Sequence, residues 1–249
     1  MRESSTGSWA SETEMQGAPD AEGARRPVQE RVARTLRRGI TTGQLVGGMR
    51  LVQPRIADAL GVSTAPVREA LRQLAAEGLV QFDGHGAAVR ELSRSELVEV
   101  YELRKLLEPI AVVRAAKDAP QKSLVEAAEL VVAMHDIENL SVWAETNARF
   151  HSVIEWASGS PHLAAILRQL HALSSLYVTH SLLSAPERLR RGNAEHQEIL
   201  EAMIRGEADA AAQAVLRHLD GTLRVLLQVR EVDASAQSCH AGHWWGAGH

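Results

Sequence analysis

Three histidines and one asparagine in the C-terminal half of the chain have the types and the spacing of a metal-binding set. Asn147 and His151 are four residues apart, so in a helix both side chains project from one face. His196 and His218 follow further along, each with apolar residues three or four positions away, which turns that helix face inward. Imidazoles that converge inside a helical bundle suit zinc, nickel or manganese, with water or a small ligand completing the coordination shell. The alternative is that each histidine is an ordinary core residue.

A second set of polar residues has the types that bind nucleic acid. Ser63 and Thr64 stand at the start of a predicted helix, where backbone N–H groups and the helix dipole favour a phosphate. Arg68, one turn later, can bind a guanine edge or a phosphate, and Arg72, another turn along, is placed for the phosphate backbone. The alternative for Arg68 is a weak ion pair to Glu69 within the helix.

The segment that holds these residues is basic, although the whole chain carries a net charge of -4. From Arg25 to Arg94 there are 12 basic and 6 acidic residues, whereas the remainder has 15 basic and 25 acidic residues. This asymmetry predicts a basic nucleic-acid reader joined to an acidic partner domain. His85 and Gly86 lie in a predicted turn of the basic segment, from which a side chain or bare backbone can approach a minor groove.

The elements that position the basic segment are three short helices and a hairpin. Apolar residues recur every four positions after Pro27, which predicts a helix that ends near Gly43. Two further helices are predicted, one ending at Gly61 and one running from an N-cap at Ser63 to a stop at Gly78. Residues 79–92 then alternate around a glycine-rich turn, as a β-hairpin does. Two helices joined by a short turn are typical of a helix-turn-helix.

Beyond residue 93 the sequence pattern is helical throughout. A capping box, Ser93 with Glu96 three residues later, opens a helix over about 95–117. Further amphipathic helices are predicted over about 121–136, 141–158, 161–184, 186–205 and 207–230. The predicted fold class is therefore mainly α, with a winged helix-turn-helix at residues 27–92 and an all-α antiparallel helical bundle at 93–231. Residues 1–26 and 232–249 are predicted to be disordered tails, because they are polar or low in complexity.

Several classes of protein do not match this sequence. No apolar run is long enough to span a membrane, and the N-terminus lacks the apolar region of a secretory signal. One cysteine fits a reducing compartment, so we expect a cytoplasmic protein with no membrane partner. No histidine follows a glutamate by three residues, which argues against a di-iron oxidase, and no phosphate-binding loop or nucleophile elbow is present. We therefore expect that the protein is not an enzyme.

The basic segment resembles the GntR family of bacterial transcription regulators, in the motifs ITTGQL, RIADALGVS, PVREALRQLAAEGLV and GHGAAV. The helical segment resembles the FCD effector domain of the FadR-type subgroup, in YELRKLLEP, NARFH, HQEIL and GEADAAAQAVLRHL. The resemblance implies a dimeric regulator, commonly a repressor, that binds a two-fold symmetric operator in double-stranded DNA. It also implies that the FCD-like domain binds a small organic acid as effector, beside a divalent metal ion.

Residue by residue, the resemblance places Arg68 and the His85–Gly86 tip on DNA. Thr64 stands where the family usually has a base-reading arginine, and Pro54 stands where another arginine is common, so the adjacent Arg55 is the expected substitute. These departures imply an operator different from the family's common one.

In the FCD-like part, the resemblance makes Asn147, His151, His196 and His218 the metal ligands, with zinc expected first and nickel or manganese as alternatives. Asn147 stands where the first ligand is commonly Asp, which removes a negative charge from the site. The effector's carboxylate is assigned to Arg104, because a guanidinium binds a carboxylate through two parallel hydrogen bonds. The alternative for Arg104 is an ion pair with Glu108 four residues later. Four other histidines of the segment are interpreted mainly as surface or core residues: His135, His162, His171 and His180.

A second function remains open on the sequence alone. The protein would then be an architectural DNA-binding protein without a sensory role, and its helical bundle would be purely structural.

Overall fold

The computed structural model describes residues 27–184 and 186–241, which form two compact units. Within that range, the first unit takes in residues 27–40 and 44–91, and the second takes in residues 41–43 and 92–241. The first unit contains, in order, α1 (Val28–Thr41), α2 (Gln53–Leu60), α3 (Thr64–Ala76), β1 (Val80–Asp83) and β2 (Gly86–Val89).

The three helices of the first unit bury one apolar stripe each. The side of α3 that is buried carries Val67, Leu71 and Leu74, and the opposite side faces solvent. Gly61 ends α2 with a φ of 62°, a left-handed conformation that glycine adopts without strain, so the chain can turn within two residues into α3. The outcome is the predicted helix-turn-helix with an exposed face on its second helix.

The hairpin, which we call the wing, pairs β1 with β2 in antiparallel register from Val80 opposite Val89 to Asp83 opposite Gly86. The Asp83 Oδ1 atom accepts a hydrogen bond from the backbone N–H of His85 at 2.8 Å and another from the Arg50 guanidinium at 2.7 Å. The hydrogen bond from Arg50 lowers the pKa of Asp83 to about 2. The wing tip is thus held by a carboxylate that stays ionised at neutral pH.

The second unit consists of helices in the described part of the chain: α4 (Arg94–Asp118), α5 (Gln121–Asp136), α6 (Leu140–Ala157), α7 (Pro161–Ser184), α8 (Pro186–Ile204) and α9 (Ala208–Ala241). The capping box at Ser93 is present in both directions, between Ser93 Oγ and the Glu96 N–H and between the Glu96 carboxylate and the Ser93 N–H. Helix α4 packs against α6, α7, α8 and α9, so it lies at the centre of the bundle, and its residues contribute to the same core as α6 and α8.

The predicted fold class is confirmed: helices dominate, and the wing is a small antiparallel sheet. The predicted end of the last helix differs from the structure, in which α9 continues to Ala241 rather than stopping near residue 230. The reason is that the first glycine after Leu227 is Gly242, and no proline intervenes, so helix-forming residues continue. The predicted tail at 1–26 and the last eight residues lie outside the described residues. None of the described helices combines the length and apolarity that a membrane span requires.

Candidate functional site

The residues predicted to bind DNA are all exposed and belong to the first unit: Arg55, Ser63, Thr64, Arg68, Arg72, His85 and Gly86. The Arg68 side chain is 54% exposed and the Arg72 side chain is 63% exposed, on the face of α3 opposite its core residues. Both arginines approach Glu69, at 3.8 Å and 2.9 Å respectively. Ion pairs as exposed as these contribute little to stability, so neither fixes its arginine against exchange for a phosphate.

The amino end of α3 is arranged as an anion-facing helix start. Ser63 occupies the N-cap position in extended conformation, and within the described first turn its side chain accepts no capping hydrogen bond. The initial backbone N–H groups of a helix lack partners inside the helix and carry a partial positive charge. The start of α3 therefore offers donors to a phosphate, as the sequence predicts for Ser63 and Thr64.

In the second unit, His151, His196 and His218 come from three different helices and converge. One ring nitrogen of each lies within 4.8 Å of one ring nitrogen of the other two. All three side chains are buried, and the ring centroids are 4.7–5.6 Å apart. The structure therefore brings together the three histidines that lie 22 to 67 residues apart in the sequence.

Two members of the predicted ligand set have buried polar atoms without a partner. Among the described residues, both ring nitrogens of His196 and the side-chain oxygen of Asn147 make no hydrogen bond. His196 is fully buried beside the Phe150 and Trp143 rings, which supply no acceptor or donor to it. Buried polar atoms are nearly always bonded, and an ion is one of the explanations for an exception. The three imidazoles that converge fit a divalent transition-metal ion, and the Asn147 oxygen stays the predicted fourth ligand.

His218 is held by a carboxylate that fixes which of its nitrogens is available. Its Nδ1 atom lies 2.9 Å from Oε2 of Glu195, and the Arg188 guanidinium donates to the same oxygen at 2.7 Å. Burial acts to raise the pKa of Glu195, but the hydrogen bonds from His218 and Arg188 outweigh it and lower the pKa to about 2. An ionised carboxylate only accepts, so His218 donates through Nδ1 and its Nε2 keeps the lone pair that a metal needs.

The protonation state of the cluster is also suitable for metal binding. Burial, followed by the neighbouring imidazoles, lowers the pKa of His151 and of His196 well below the usual value. Burial likewise lowers the pKa of His218. All three rings are therefore neutral at pH 7, which is the form that binds a metal ion.

Arg104, the predicted effector-binding residue, is buried on α4 and already has partners. Its Nε donates to Oε1 of Glu108 at 2.6 Å, and its Nη1 donates to Oγ of Ser174 at 3.0 Å. The ion pair with Glu108, which the sequence leaves open as the alternative, is thus formed in this structure. Glu108 in turn lines a cavity of about 20 Å³ together with His151 and Glu155. Arg104 is therefore connected to the cavity through Glu108 rather than lining it.

Three residues at or beside this cavity are not among the site residues that the sequence predicts: Glu108, Glu155 and His171. His171 of α7 was interpreted as a surface or core residue, yet its Nε2 lies 3.2 Å from Oε1 of Glu108 and 3.0 Å from Oε1 of Glu155. The available signal was spacing, since Glu155 lies four residues after His151 on α6, on the same helix face. His135 and His162 are exposed, as expected. The side chain of His180 lies outside the described residues.

Comparison with known proteins agrees with this geometry in both units. The profile of the bacterial regulatory proteins of the gntR family matches residues 28–89, and that of the FCD domain matches residues 99–221. The probable D-xylose utilization operon transcriptional repressor of Paenarthrobacter nicotinovorans is 31% identical over 205 residues, which cover 80% of this chain and 89% of that protein. The chain belongs to the gntR family and carries an FCD domain. It is a DNA-binding transcription regulator, and its family consists of regulators rather than enzymes.

A second relative and two solved structures are also similar to the regulator over most of its length. The gluconate operon transcriptional repressor of Bacillus subtilis is 29% identical over 174 residues, which cover 69% of this chain and 70% of that protein. Among solved structures, a putative GntR regulator from Rhodococcus sp. RHA1 is 25% identical with a TM-score of 0.68, over 80% of this chain and 97% of that chain. The McbR/YncC protein of E. coli has a TM-score of 0.74 at 24% identity, over 82% and 99% of the two chains, and so shares the fold.

The Glu195–His218 contact generates a first prediction. Glu195→Gln keeps the shape of the side chain but removes the charge that orients the His218 ring, so metal affinity should fall about 10- to 100-fold. The measurement is a competition titration of the metal-free regulator with zinc against a chromophoric chelator. Glu198→Gln, an exposed carboxylate on the same helix, is the matched control and should bind zinc as the wild type does. Equal affinities for both variants would contradict the role assigned to Glu195.

Proposed function

We propose that the chain is a ligand-responsive transcriptional repressor of the FadR type. In this proposal the winged helix-turn-helix reads a two-fold symmetric operator, and the FCD domain binds a small organic acid beside a divalent metal ion. The sensory part of the proposal rests on the convergence of three buried, neutral imidazoles. Both ring nitrogens of one of them, His196, have no hydrogen-bond partner among the described residues. Two relatives are named as repressors, which supports repression, and one of them is named for the operon of gluconate, a sugar acid that carries a carboxylate.

DNA reading is assigned to the exposed face of α3 and to the wing. Arg68 is exposed on α3 and carries a forked guanidinium, the geometry that pairs with a guanine edge in the major groove. The helix start at Ser63 and Thr64, with Arg55 and Arg72 on either side along the chain, supplies phosphate contacts. His85 and Gly86 at the wing tip are assigned to the minor groove.

Replacing Arg68 tests this assignment. Arg68→Ala should weaken specific operator binding about 10- to 100-fold, because a good bidentate contact to a base contributes about 1–3 kcal/mol. A gel-shift titration on an operator selected from random DNA measures the effect, and the thermal melt should stay unchanged because the side chain is exposed. Arg217→Ala, an equally exposed arginine of the FCD domain, is the control. If Arg68→Ala binds the operator as tightly as the control does, Arg68 is only a surface residue.

A dimer is proposed because the exposed surface of α4 carries an apolar stripe. Leu103, Leu106 and Ile110 recur at three- and four-residue intervals and are 41%, 67% and 46% exposed. A second copy of the chain can cover such a stripe on both protomers through one two-fold axis. Two readers related by that axis require a two-fold symmetric operator.

The metal ligands are assigned as His151, His196 and His218, with the Asn147 side-chain oxygen binding directly or through a water molecule. Zinc is proposed first, and nickel or manganese are the alternatives that imidazole also suits. A bound cation would give one ring nitrogen of His196 and the Asn147 oxygen the electrostatic partner that they lack. It would also attract an anionic effector into the bundle.

Metal analysis of variants tests the ligand set. His196→Ala should carry about one metal ion per chain fewer than the wild type after reconstitution with zinc, and Asn147→Asp should bind zinc more tightly because it restores an anionic ligand. The pKa values of His151 and His196 are lowered, so both rings stay neutral below pH 6.5, the pKa of a free histidine. Metal should therefore be released only when the pH falls below that of a free histidine's titration. His162→Ala, an exposed histidine, is the control. Equal metal content in wild type and His196→Ala would show that the histidines are core residues.

The effector's carboxylate is assigned to Arg104, and binding there requires an exchange of partners. Arg104 holds Glu108, and the cavity next to Glu108 has room for about one water molecule. An effector must therefore move Glu108 and widen the cavity, which makes the bound and free arrangements of the bundle different. Such a difference is what lets a ligand shift the regulator between states with unequal affinity for DNA.

Arg104→Lys tests the carboxylate contact while it keeps the charge next to Glu108. In a thermal-shift screen of small organic acids, begun with gluconate and with neutral D-xylose as the uncharged comparison, an acid should stabilise the metal-loaded wild type. The same acid should bind Arg104→Lys at least about tenfold more weakly, because lysine cannot form the bidentate contact. Operator binding without effector should be unchanged. A screen in which no acid stabilises the wild type would favour the second function, an architectural DNA-binding protein with a structural bundle.

A further inference from the structure

A second cluster of potential ligands lies beside the three histidines, and it contains a carboxylate oxygen without a hydrogen-bond partner. His171 Nε2 lies 3.0 Å from Oε1 of Glu155 and 3.2 Å from Oε1 of Glu108. One imidazole nitrogen carries at most one hydrogen, so it cannot donate to both carboxylates. Glu155 is 96% buried, and its Oε1 makes no hydrogen bond to any described residue. The His171 ring lies at ion-pair distance from this oxygen but makes no hydrogen bond to it, so the oxygen is available to a cation.

The space in front of these carboxylates has the size of an ion. Glu108, Glu155 and His151 line the same cavity of about 20 Å³, which holds about one water molecule. Glu108, His151 and His171 each present an oxygen or nitrogen atom within 4.8 Å of those of the other two. The rest of the described cavity wall is apolar and includes Phe150 and Leu167. A charge in the cavity therefore has Glu108, Glu155 and His151 as its polar partners in that wall.

We propose that Glu108, Glu155 and His171, with His151 at their edge, form a second divalent-cation site next to the three-histidine site. Oxygen and nitrogen ligands about 2.1 Å from one ion and at right angles to each other lie about 3.0 Å apart, which matches the two measured separations. Two carboxylates and one imidazole are a harder donor set than three imidazoles, and such a set suits manganese or ferrous iron as well as zinc. The two sites would thus differ in metal preference.

The local charges permit this cation. Glu108 and Glu155 contribute two negative charges, and Arg104, whose Nε is bonded to Glu108, contributes one positive charge. The excess negative charge beside a small cavity favours a cation in this arrangement, whereas an organic acid reaches Arg104 only after Glu108 has moved. The competing occupant is a proton on His171, because the carboxylates raise the pKa of His171 despite the opposing effects of burial and of Arg104. The experiment therefore has to separate a metal ion from a proton.

The two sites are close enough to interact. The His151 ring centroid lies 4.6 Å from that of His171 and 5.2 Å and 5.6 Å from those of His196 and His218. Two manganese ions held on the two sides of His151 would be exchange- or dipole-coupled. Their electron paramagnetic resonance spectrum would then differ from the six-line spectrum of an isolated ion.

The test is a titration of the chelator-treated full chain with Mn²⁺, followed by metal analysis and electron paramagnetic resonance. The wild type should bind two ions per chain with a coupled spectrum. Glu155→Gln and His171→Gln should each bind one ion with an uncoupled spectrum, and His196→Ala should also bind one. Glu126→Gln, which changes an exposed carboxylate paired with Arg149, should behave as the wild type. Circular dichroism melts show whether each variant is folded. Because the second site has two variants, the test still works if one of them does not fold.

The outcomes separate this proposal from the three-histidine site. If the wild type binds one ion, and His196→Ala loses it while Glu155→Gln and His171→Gln keep it, the second site is wrong and a protonated His171 offsets the charge of the carboxylates instead. If His196→Ala binds as many ions as the wild type while Glu155→Gln loses one, the second site stands and the three-histidine site fails. Binding of two ions by both Glu155→Gln and His171→Gln would also overturn the proposal.

Discussion

The second unit is organised around four imidazole rings inside one helical bundle, of which three are buried and that of His171 is 15% exposed. A buried polar group without a partner costs about 1–3 kcal/mol, so a bundle tolerates such groups only where something offsets the cost. His218 is bonded to Glu195, and the His171 ring lies 3.2 Å from Glu108 and 3.0 Å from Glu155, whereas the nitrogens of His196 have no partner among the described residues. The large apolar core around α4 stabilises the fold, and the unpaired nitrogens are left available for a ligand.

Buried carboxylates divide this polar interior into two electrostatic regions. Glu195 is held by Arg188 and orients His218, so its charge serves the three-histidine site. Glu108 is held by Arg104 and lines the cavity with His151, where Glu155 adds a further negative charge. Each guanidinium neutralises one carboxylate, and the charge that remains lies on the wall of the cavity. A metal ion that enters therefore meets a site whose charges are already oriented, which reduces the reorganisation that binding requires.

The first unit follows the opposite rule, since its functional groups lie on the surface. The core of α3 fixes the helix and leaves Arg68 and Arg72 exposed, with a shared, weak ion pair to Glu69 among the described residues. The wing is held by Arg50 and Asp83, which position the His85–Gly86 tip without using it in the core. Arg50 was not identified from the sequence, because it lies 33 residues from Asp83 and outside any helical pattern. A rigid scaffold that presents exposed cations is what contact with a phosphate backbone needs.

The amino-acid sequence by itself determines the helices, the wing and the inward faces. Periodic apolar residues, the Ser93 capping box and the four-residue spacing of Asn147 and His151 act locally, so their consequences can be predicted without knowledge of the fold. The continuation of α9 to Ala241 differs from the prediction. The low-complexity composition after residue 231 is typical of a tail, but the segment has no glycine or proline before Gly242 that would end the helix. Which inward residues meet was decided by tertiary structure. His171 reaches Glu108 and Glu155 only because α4, α6 and α7 pack together, and Arg104 forms an ion pair because burial leaves Glu108 as its nearest anion. Helical periodicity specifies the face on which a residue lies, whereas the partner across that face depends on how the helices pack.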